Sequence, residues 1–247
     1  DLDGTVLMQG ETQVKRDLLN MISKLHQEKK DFVVASGRSY GALKRFFPSH
    51  LLEMYFICEN GALVQYQGKT LFKKAIAKKT VLAYIETIET LGCEWVAAGV
   101  HTVYTGNHCS KVSEIYQELN IPIMKVRAPR EIPEDVIRIS VLHSHMERDV
   151  MKELSSDVPE GLNVSYKDET WLDYICSDVD KGKGLMWLMK YRGLEKEDVA
   201  VFGDNSNDIE MMKVTPHSYA MSWAPESVKT AANYKTSCVM KSIQTYL

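Results

Sequence analysis

The sequence predicts an α/β protein with a doubly wound, parallel-sheet core that is interrupted by a smaller α+β domain. Near both ends of the chain, short β-branched runs alternate with amphipathic helical stretches, a pattern typical of parallel strands joined by helices. In the middle of the chain, neighbouring strands are separated by tight turns, which is typical of an antiparallel sheet. We therefore assign residues 1–74 and 176–247 to the core and residues 75–175 to the inserted domain.

The first core segment begins with a helix and continues with alternating strands and helices. This first helix is predicted from an apolar stripe at Val14, Leu18, Leu19, Ile22 and Leu25. The run DFVVASGRS predicts a buried strand, YGALKRFF a second helix, and MYFICENGA a strand that ends in an Asn-Gly turn. ALVQYQGKTLF predicts a hairpin folded around Gly68.

The inserted domain is predicted to mix helices with paired strands. KTVLAYIETIETLG predicts an amphipathic helix that ends at Gly92, and CEWVAAG and HTVYTG predict two paired strands. KVSEIYQELN predicts a helix, VIRISVLHS a strand and MERDVMKELSS another helix. LNVSYK and TWLDYIC predict the last two strands of this domain.

The second core segment returns to alternating helices and strands. KGKGLMWLMKYRG predicts a helix that ends near Gly193, and DVAVFGD predicts a buried strand that ends in an acid. NDIEMMKV predicts a short helix, SYAMS a short strand, and PESVKTAANY a helix that begins at Pro225.

Composition and charge argue against several classes of partner. The 247 residues are 45% hydrophobic and 26% charged, which is ordinary for a globular protein. A formal net charge of -3 and the lack of a long basic run argue against a nucleic-acid or anionic-membrane partner. No apolar run approaches the roughly 20 residues that span a bilayer.

The cysteines predict a protein of the reducing cytoplasm. Their odd number, wide spacing and lack of a C-x-x-C pair argue against both a disulfide framework and a zinc site. No signal-like apolar segment opens the sequence. The cysteines are Cys58, Cys93, Cys109, Cys176 and Cys238.

Four short motifs carry the candidate chemistry: DLDGT, ASGRS, DKGKG and FGDNSND. Three are strand ends or the turns after them and one begins a helix, and ligands bind at the carboxyl ends of strands in an open parallel sheet. Four carboxylates gathered there would repel one another unless a cation lay among them. The protein offers only oxygen ligands, and too few to surround the ion completely, which predicts Mg2+ with water and substrate as its remaining ligands. These carboxylates belong to Asp1, Asp3, Asp204 and Asp208.

A phosphoryl group is the ligand that the remaining polar residues predict. Ser36, Lys181 and Asn207 offer a hydroxyl, an ammonium and an amide, all of which can bond to phosphate oxygens. An aspartate is ionised at neutral pH, so Asp1 can attack phosphorus without an activating base. Asp3, two residues along a strand, lies on the same side and can protonate the leaving alcohol and then activate water.

These motifs resemble those of the haloacid dehalogenase superfamily of phosphotransferases. That superfamily is marked by D-x-D-G-T, a strand-terminal Ser or Thr, a later Lys, and G-D-x-x-N-D. The resemblance implies that Asp1 is the nucleophile and that Asp3 is the acid/base and lends its main-chain carbonyl to Mg2+. It implies that Asp204 is the other main metal ligand, supported by Asp208. Ser36, Lys181 and Asn207 would hold the phosphoryl group.

The place of the insertion resembles one branch of that superfamily. The insert lies between Ser36 and Lys181, as in the C2-capped, Cof-type (subfamily IIB-like) branch, whose cap selects the substrate. Members of that branch are mostly Mg2+-dependent phosphatases of sugar phosphates and other small phosphorylated metabolites. ENGA at 59–62 and MSWAPESVKTAA at 221–232 also resemble it. Ser222 and Trp223 depart from the branch, which has Gly and Asn there.

Alternative functions for the chain, and purely structural roles for some of these residues, stay open. A phosphomutase, a receiver-like phosphoacceptor and a non-catalytic metabolite-binding module are the alternatives to a phosphatase. Lys183 is the alternative to Lys181, and Asp180 is predicted to be a helix N-cap. His143 and His145 are predicted to be surface or core residues rather than metal ligands. Packing is the predicted role of the four tryptophans, with Trp171 and Trp223 as candidates for lining a cleft.

A nucleophile at the carboxyl end of a parallel strand requires the residues of that strand to precede it in the sequence. We therefore expect an apolar strand of about 5 to 9 residues to precede Asp1 in the natural protein. DLDGT is then the end of the first strand rather than the start of the protein.

Overall fold

The computed structural model of the chain describes residues 1–8, 10–143 and 148–246. The chain divides into two compact units, which are described separately below. The core unit is Asp1–Phe72 with Val179–Leu247, and the insert unit is Lys73–Asp178.

The strands and helices follow one another along the whole chain. In order, the strands are β1 (Val33–Ala35), β2 (Tyr55–Cys58), β3 (Leu63–Tyr66), β4 (Lys69–Lys73), β5 (Glu94–Gly99), β6 (Val103–Gly106), β7 (Met124–Val126), β8 (Val136–Leu142), β9 (Leu162–Asp168), β10 (Trp171–Cys176), β11 (Ala200–Gly203), β12 (His217–Met221) and β13 (Tyr234–Thr236). The helices are α1 (Arg16–Gln27), α2 (Tyr40–Leu43), α3 (Lys78–Thr90), α4 (Ser110–Glu118), α5 (Arg148–Ser156), α6 (Lys181–Arg192), α7 (Ile209–Met212), α8 (Glu226–Ala231) and α9 (Val239–Ile243).

The core unit contains parallel strands connected through helices, which confirms the predicted α/β fold class. Strand β1 pairs in parallel with β2, and β11, β12 and β13 form a second parallel set in that order. Strands β3 and β4 extend the first set, with β3 antiparallel to β2. The turn between β3 and β4 has positive φ at Gln67 and Gly68, as hairpin turns with the twist of the strands require, and this confirms the predicted hairpin.

Helices cover these strands through two clusters of buried side chains. One cluster joins β1, β2, β3, β11 and β12 to α6, α7 and α8. A second joins α1 and α9 to Met221 of β12. Three residues of the apolar stripe that predicted the first helix, Leu18, Ile22 and Leu25, form its buried face. Val14 precedes the helix and Leu19 is half-buried.

The insert unit is built on one six-stranded sheet with the order β7-β6-β5-β8-β10-β9. All its pairings are antiparallel except that of β6 with β7, and the predicted pair CEWVAAG and HTVYTG becomes β5 and β6. Helices α3 and α5 meet at the sheet, where the hydroxyls of Tyr84 and Tyr174 both donate to the carbonyl of Leu154. The insert therefore has the predicted α+β character.

Two short strands were not predicted from the sequence. Strand β7 has two exposed residues out of three, so it carries no alternation of apolar and polar residues. Strand β13 begins at Tyr234, inside the stretch predicted to be the last helix, because α8 ends at Ala231 and the chain then pairs with β12. Pairing with the preceding strand β12 overrides the local helical pattern here.

A cavity of about 490 Å3 lies within the core unit and is lined mainly by apolar residues of β1, β11 and α6. Among the site residues predicted from the sequence, all of which the structure describes, Asp1 alone lines it. This cavity is therefore not where the predicted phosphate-binding groups meet. In the part of the chain that the structure describes, no helix has both the length and the apolar composition needed to cross a membrane.

The loop after β2 packs tightly against the start of α6. Glu59, Asn60 and Gly61 all have positive φ, at 49°, 52° and 96°. A Cβ atom added to Gly61 would lie 2.0 Å from the carbonyl oxygen of Asp180, so there is no room for a side chain. The glycine lets this loop approach the backbone that carries the first residues of α6.

We expect Gly61→Ala to destabilise the protein by at least about 2 kcal/mol, because it combines left-handed strain with a clash against backbone. The free energy of unfolding in urea measures this. Gly41→Ala in α2 is the control, since no atom lies within 4 Å of an added Cβ there. That variant should be as stable as the wild type or slightly more so. Equal stability of both variants would contradict the packing described for Gly61.

Candidate active site

The DLDGT segment forms a tight turn beside the end of β11. The backbone nitrogen of Asp1 donates to the carbonyl of Phe202, 2.8 Å away. The N–H of Gly4 donates to the carbonyl of Leu7 at 2.8 Å and closes the turn. Gly4 has a φ of 79°, and a Cβ atom added there would lie 2.2 Å from Oδ2 of Asp204. Glycine at this position thus allows the turn to lie directly against the Asp204 carboxylate.

Lys181 is a buried cation between two carboxylates. Its Nζ lies 2.7 Å from Oδ1 of Asp1 and 2.7 Å from Oδ1 of Asp208. The side chains of Lys181, Asp1 and Asp208 are 1%, 5% and 0% exposed. Buried charges persist only when they are paired and hydrogen-bonded, so these three side chains depend on one another.

The beginning of helix α6 places Lys181 in this position. The helix starts at Lys181, and Oδ1 of Asp180 accepts the N–H of Lys183 at 2.8 Å, which confirms Asp180 as the N-cap. The Lys183 side chain is 48% exposed and its Nζ lies 3.6 Å from Asp180. Of the two candidate lysines, it is therefore Lys181 that lies among the acids.

Three carboxylates of the core unit converge: Asp1, Asp204 and Asp208 each place one oxygen within 4.8 Å of the others. Oδ2 of Asp208 accepts the N–H groups of Asp204 and Asn205, at 3.0 and 3.1 Å, and so holds the loop after β11. Burial, followed by the negative charge of Asp208, raises the pKa of Asp204. Thr5 Oγ1 donates to Oδ1 of Asp204 at 3.2 Å and partly offsets this effect.

This group of carboxylates fits a divalent cation. Oδ2 of Asp1 is buried and has no hydrogen-bond partner among residues 1–8, 10–143 and 148–246. A buried carboxylate oxygen without a partner costs free energy, and a cation would satisfy it and reduce the repulsion among the acids. The donors are all carboxylate oxygens, which hard cations such as Mg2+ prefer. The Asp3 side chain, predicted with them, is not part of this cluster.

The carboxylate of Asp3 is instead held by Arg38. Nε and Nη2 of Arg38 donate to Oδ2 and Oδ1 of Asp3, at 2.8 and 2.7 Å. Both side chains are half-exposed, and the guanidinium lies 5.2 Å from the centre of the Phe46 ring. Two parallel hydrogen bonds orient a carboxylate more firmly than a single charge does. Arg38 was not among the site residues predicted from the sequence, although it stands in the ASGRS motif shortly after the strand end.

Asn60 joins the loops that carry the remaining predicted residues. Its N–H donates to the carbonyl of Ser36 at 3.1 Å, and its Oδ1 accepts from Nδ2 of Asn207 at 3.0 Å. Ser36 is buried, and its Oγ accepts the N–H of Arg38 at 3.1 Å. The sequence predicted an Asn-Gly turn here and a family likeness in ENGA, but no role for Asn60 in the site. Among the residues predicted from the sequence, the carboxylates of Asp1, Asp204 and Asp208 converge, and Lys181 bonds to Asp1 and Asp208.

Only the first histidine of the H-x-H pair lies among the described residues. His143 directly follows β8 and is buried, so it is a core residue, one of the two roles predicted for it. His145 lies outside the described residues. Within the described parts of the chain, the one group of three or more potential metal ligands is the acidic cluster of the core unit.

Three of the four tryptophans have the packing role that the sequence predicted. Trp95 and Trp171 are buried, and their indole N–H groups donate to carboxylates of their own unit. Trp187 packs against the Phe72 ring at 5.2 Å. Trp223 differs, because 45% of it is exposed.

The model of one protein family matches nearly the whole chain. That family is described as haloacid dehalogenase-like hydrolase, and the match covers residues 1–242. The chain is 29% identical over 238 residues to 5-amino-6-(5-phospho-D-ribitylamino)uracil phosphatase YbjI of Escherichia coli (strain K12), covering 95% of this chain and 88% of that protein. It is 24% identical over 253 residues to pyridoxal phosphate phosphatase YbhA of the same organism, covering 94% and 90%.

Solved structures share this fold. The HAD subclass IIB sugar phosphatase BT4131 has a TM-score of 0.78 to this chain at 22% sequence identity, covering 100% of this chain and 96% of that one. The likeness extends over both the core and the insert segments of the sequence. It is a likeness of fold.

We expect a divalent cation to stabilise the protein through the acidic cluster. Mg2+ at ten times its Kd should add about 1.4 kcal/mol to the free energy of unfolding and raise Tm. Asp204→Asn should abolish this shift, because it removes a charged ligand. Asp180→Asn is the control, since asparagine also caps helices and Asp180 lies outside the cluster. Thermal unfolding with Mg2+ and with a chelator tests this, and an undiminished shift in Asp204→Asn would contradict it.

Proposed function

Because the chain belongs to the haloacid dehalogenase-like hydrolase family, we propose that it is a Mg2+-dependent phosphatase of small phosphorylated metabolites that acts through an aspartyl-phosphate intermediate. The observation that carries this proposal is Lys181, buried between Asp1 and Asp208 at 2.7 Å from each, beside Asp204. A nucleophilic carboxylate, a phosphate-binding ammonium and a cation site thereby occupy one place.

The relatives support the same chemistry. The two curated relatives described above are named as phosphatases, one of a phosphoribitylamino-uracil and one of pyridoxal phosphate. We therefore take a phosphomonoester of a small metabolite as the substrate, and neither nucleic acid nor a membrane as partner. The five cysteines are all free, which supports the cytoplasmic location expected from the sequence.

The proposed cation ligands are the carboxylates of Asp1 and Asp204, with Asp208 in support and the main-chain carbonyl of Asp3 as the family resemblance implies. When bound, Mg2+ supplies positive charge that offsets the repulsion between the Asp1 carboxylate and a phosphate dianion. Lys181, Ser36 and Asn207 are the proposed phosphate-binding residues. They offer an ammonium, a hydroxyl and an amide to the phosphoryl oxygens.

Two steps complete the proposed reaction. A carboxylate oxygen of Asp1 forms a bond to phosphorus while the bond from phosphorus to the alcohol oxygen breaks, and protonated Asp3 gives its proton to that oxygen. Asp3 then takes a proton from water, whose oxygen attacks phosphorus and breaks the bond to Asp1. Inorganic phosphate and the original Asp1 carboxylate result. Arg38 donates to both oxygens of Asp3 and so orients the ionised carboxylate that takes the proton from water in the second step. To give its proton in the first step, the Asp3 carboxyl has to turn one oxygen away from Arg38.

The core residues recognise only phosphate and cation, so the choice of substrate needs other groups. We assign this selection mainly to the inserted segment of residues 75–175, which the family resemblance describes as a C2-type cap. The core chemistry then stays the same while the insert decides which metabolites are hydrolysed.

Asp1→Asn should lower phosphate release by at least about a thousandfold, because it removes the attacking oxygen anion. Asp3→Asn should slow turnover by a factor of about 10² to 10⁴, because it removes the proton donor and the base that activates water. With a substrate whose leaving group needs no proton, such as p-nitrophenyl phosphate, Asp3→Asn should accumulate phosphate bound to Asp1. Rapid quenching with radiolabelled substrate and peptide mapping measure that adduct.

Asp180→Asn again serves as the matched control and should keep near wild-type turnover. Release of inorganic phosphate from a panel of metabolites in the presence of Mg2+ is the expected wild-type result. An isomeric phosphate ester with little free phosphate would show a phosphomutase instead. Full activity in Asp1→Asn would rule out the aspartyl-phosphate route.

A further inference from the structure

Trp223 stands in a fixed turn at the carboxyl end of β12. The N–H of Ser222 donates to the carbonyl of Thr236 at 2.8 Å, and the N–H of Ala224 donates to that of Met221 at 2.9 Å. Both residues beside Trp223 are therefore held by backbone hydrogen bonds. This is the position at which the chain departs from the Gly-Asn of the Cof-type pattern.

The indole ring of Trp223 is hydrogen-bonded to the DLDGT turn, Asp1 to Thr5. Its Nε1 donates to the carbonyl oxygen of Gly4, 2.9 Å away. Gly4 directly follows Asp3 and packs against the carboxylate of Asp204. One end of the indole thus lies at the turn that carries both Asp1 and Asp3.

Nearly half of Trp223 stays open to solvent. Trp223 is 45% exposed, and within the described residues its ring makes no aromatic or cation–π contact. Other exposed aromatic residues of the core unit do stack: Tyr191 lies on Trp187 at 5.3 Å and Tyr234 on Tyr219 at 5.0 Å. A single exposed apolar residue is ordinary on a protein surface. A large ring that is fixed by its N–H at the DLDGT turn and is 45% exposed offers aromatic surface to a ligand.

The proposed reaction places the leaving group beside the residue that precedes Gly4. In the proposed reaction, Lys181 binds the phosphoryl group and Asp3 protonates the leaving oxygen. The leaving oxygen of the substrate therefore lies next to the Asp3 carboxyl. The residue that follows Asp3 is Gly4, to whose carbonyl Trp223 is bonded.

We propose that Trp223 is a specificity-determining residue whose exposed ring stacks on a planar heterocycle in the leaving group, so that phosphomonoesters bearing such a ring are the preferred substrates. The proposal rests on the phosphatase function proposed above. Planar rings gain from stacking on indole through both buried area and the complementary charge distribution of π-systems. A polyol without a ring covers less of the indole and gains less.

A matched pair of substrates isolates the contribution of the ring. Flavin mononucleotide and D-ribitol 5-phosphate carry the same phosphorylated polyol, and only the first carries a planar heterocycle. Wild-type kcat/KM should be about tenfold higher for flavin mononucleotide, the factor expected from one aromatic stacking contact. Trp223→Ala should lower kcat/KM for flavin mononucleotide by about tenfold, mainly through KM, and for D-ribitol 5-phosphate by less than threefold.

Trp223→Phe separates stacking from positioning of the turn. It keeps an aromatic ring and loses the hydrogen bond to Gly4, so it should retain most of the preference for flavin mononucleotide. Tyr191→Ala removes a different exposed aromatic residue and should leave both substrates unaffected. Equal losses on both substrates in Trp223→Ala would overturn the proposal and assign Trp223 to positioning the turn. An equal wild-type kcat/KM for both substrates would also overturn it.

The wild-type assay distinguishes failure of this proposal from failure of the proposed function. If the wild type releases phosphate from a metabolite panel but has equal kcat/KM with and without the heterocycle, only the role of Trp223 is contradicted. A wild type that releases no phosphate from any phosphomonoester in the presence of Mg2+ contradicts the phosphatase function and this proposal with it.

Discussion

The buried contact of Lys181 with Asp1 and Asp208 is the interaction on which the site depends. Three charged side chains are almost fully withdrawn from water, and removing one partner from such a group typically costs about 3 to 5 kcal/mol. The group joins three distant segments of the chain, because Lys181 begins α6 while Asp1 and Asp208 stand in the first and last motifs. The ammonium that pairs these two acids is also the group proposed above to bind a phosphate.

Close approach of backbones makes this arrangement possible. Gly4 lets the first turn lie against Asp204, and Gly61 lets the loop after β2 lie against the carbonyl of Asp180. In each case a Cβ atom would collide with the neighbouring segment. The glycines thus determine how near the loops can come, while the charged side chains determine what holds them there. Neither set of residues would build the site without the other.

Much of the fold could be predicted because its signals are local. Apolar stripes at helical spacing identified α1, and β-branched runs ending in polar turns identified β1, β2 and β11. Strands β7 and β13 were missed because both are short and mostly exposed, so neither carries the buried apolar run that identified β1. The ion pair of Arg38 with Asp3 escaped prediction for a related reason. It depends on the meeting of two loops, whereas each residue alone is an ordinary polar side chain after a strand.

By itself, the sequence determined the α/β class, the order of the motifs and the chemical groups that each motif offers, because periodicity and residue type are local properties. The tertiary structure decided which groups meet. It paired Asp3 with Arg38 rather than with the other acids, linked Asn60 to Asn207 across 147 positions, and bonded Trp223 to Gly4 across 219. Such contacts follow from strand order and loop packing, which join residues that no local pattern relates.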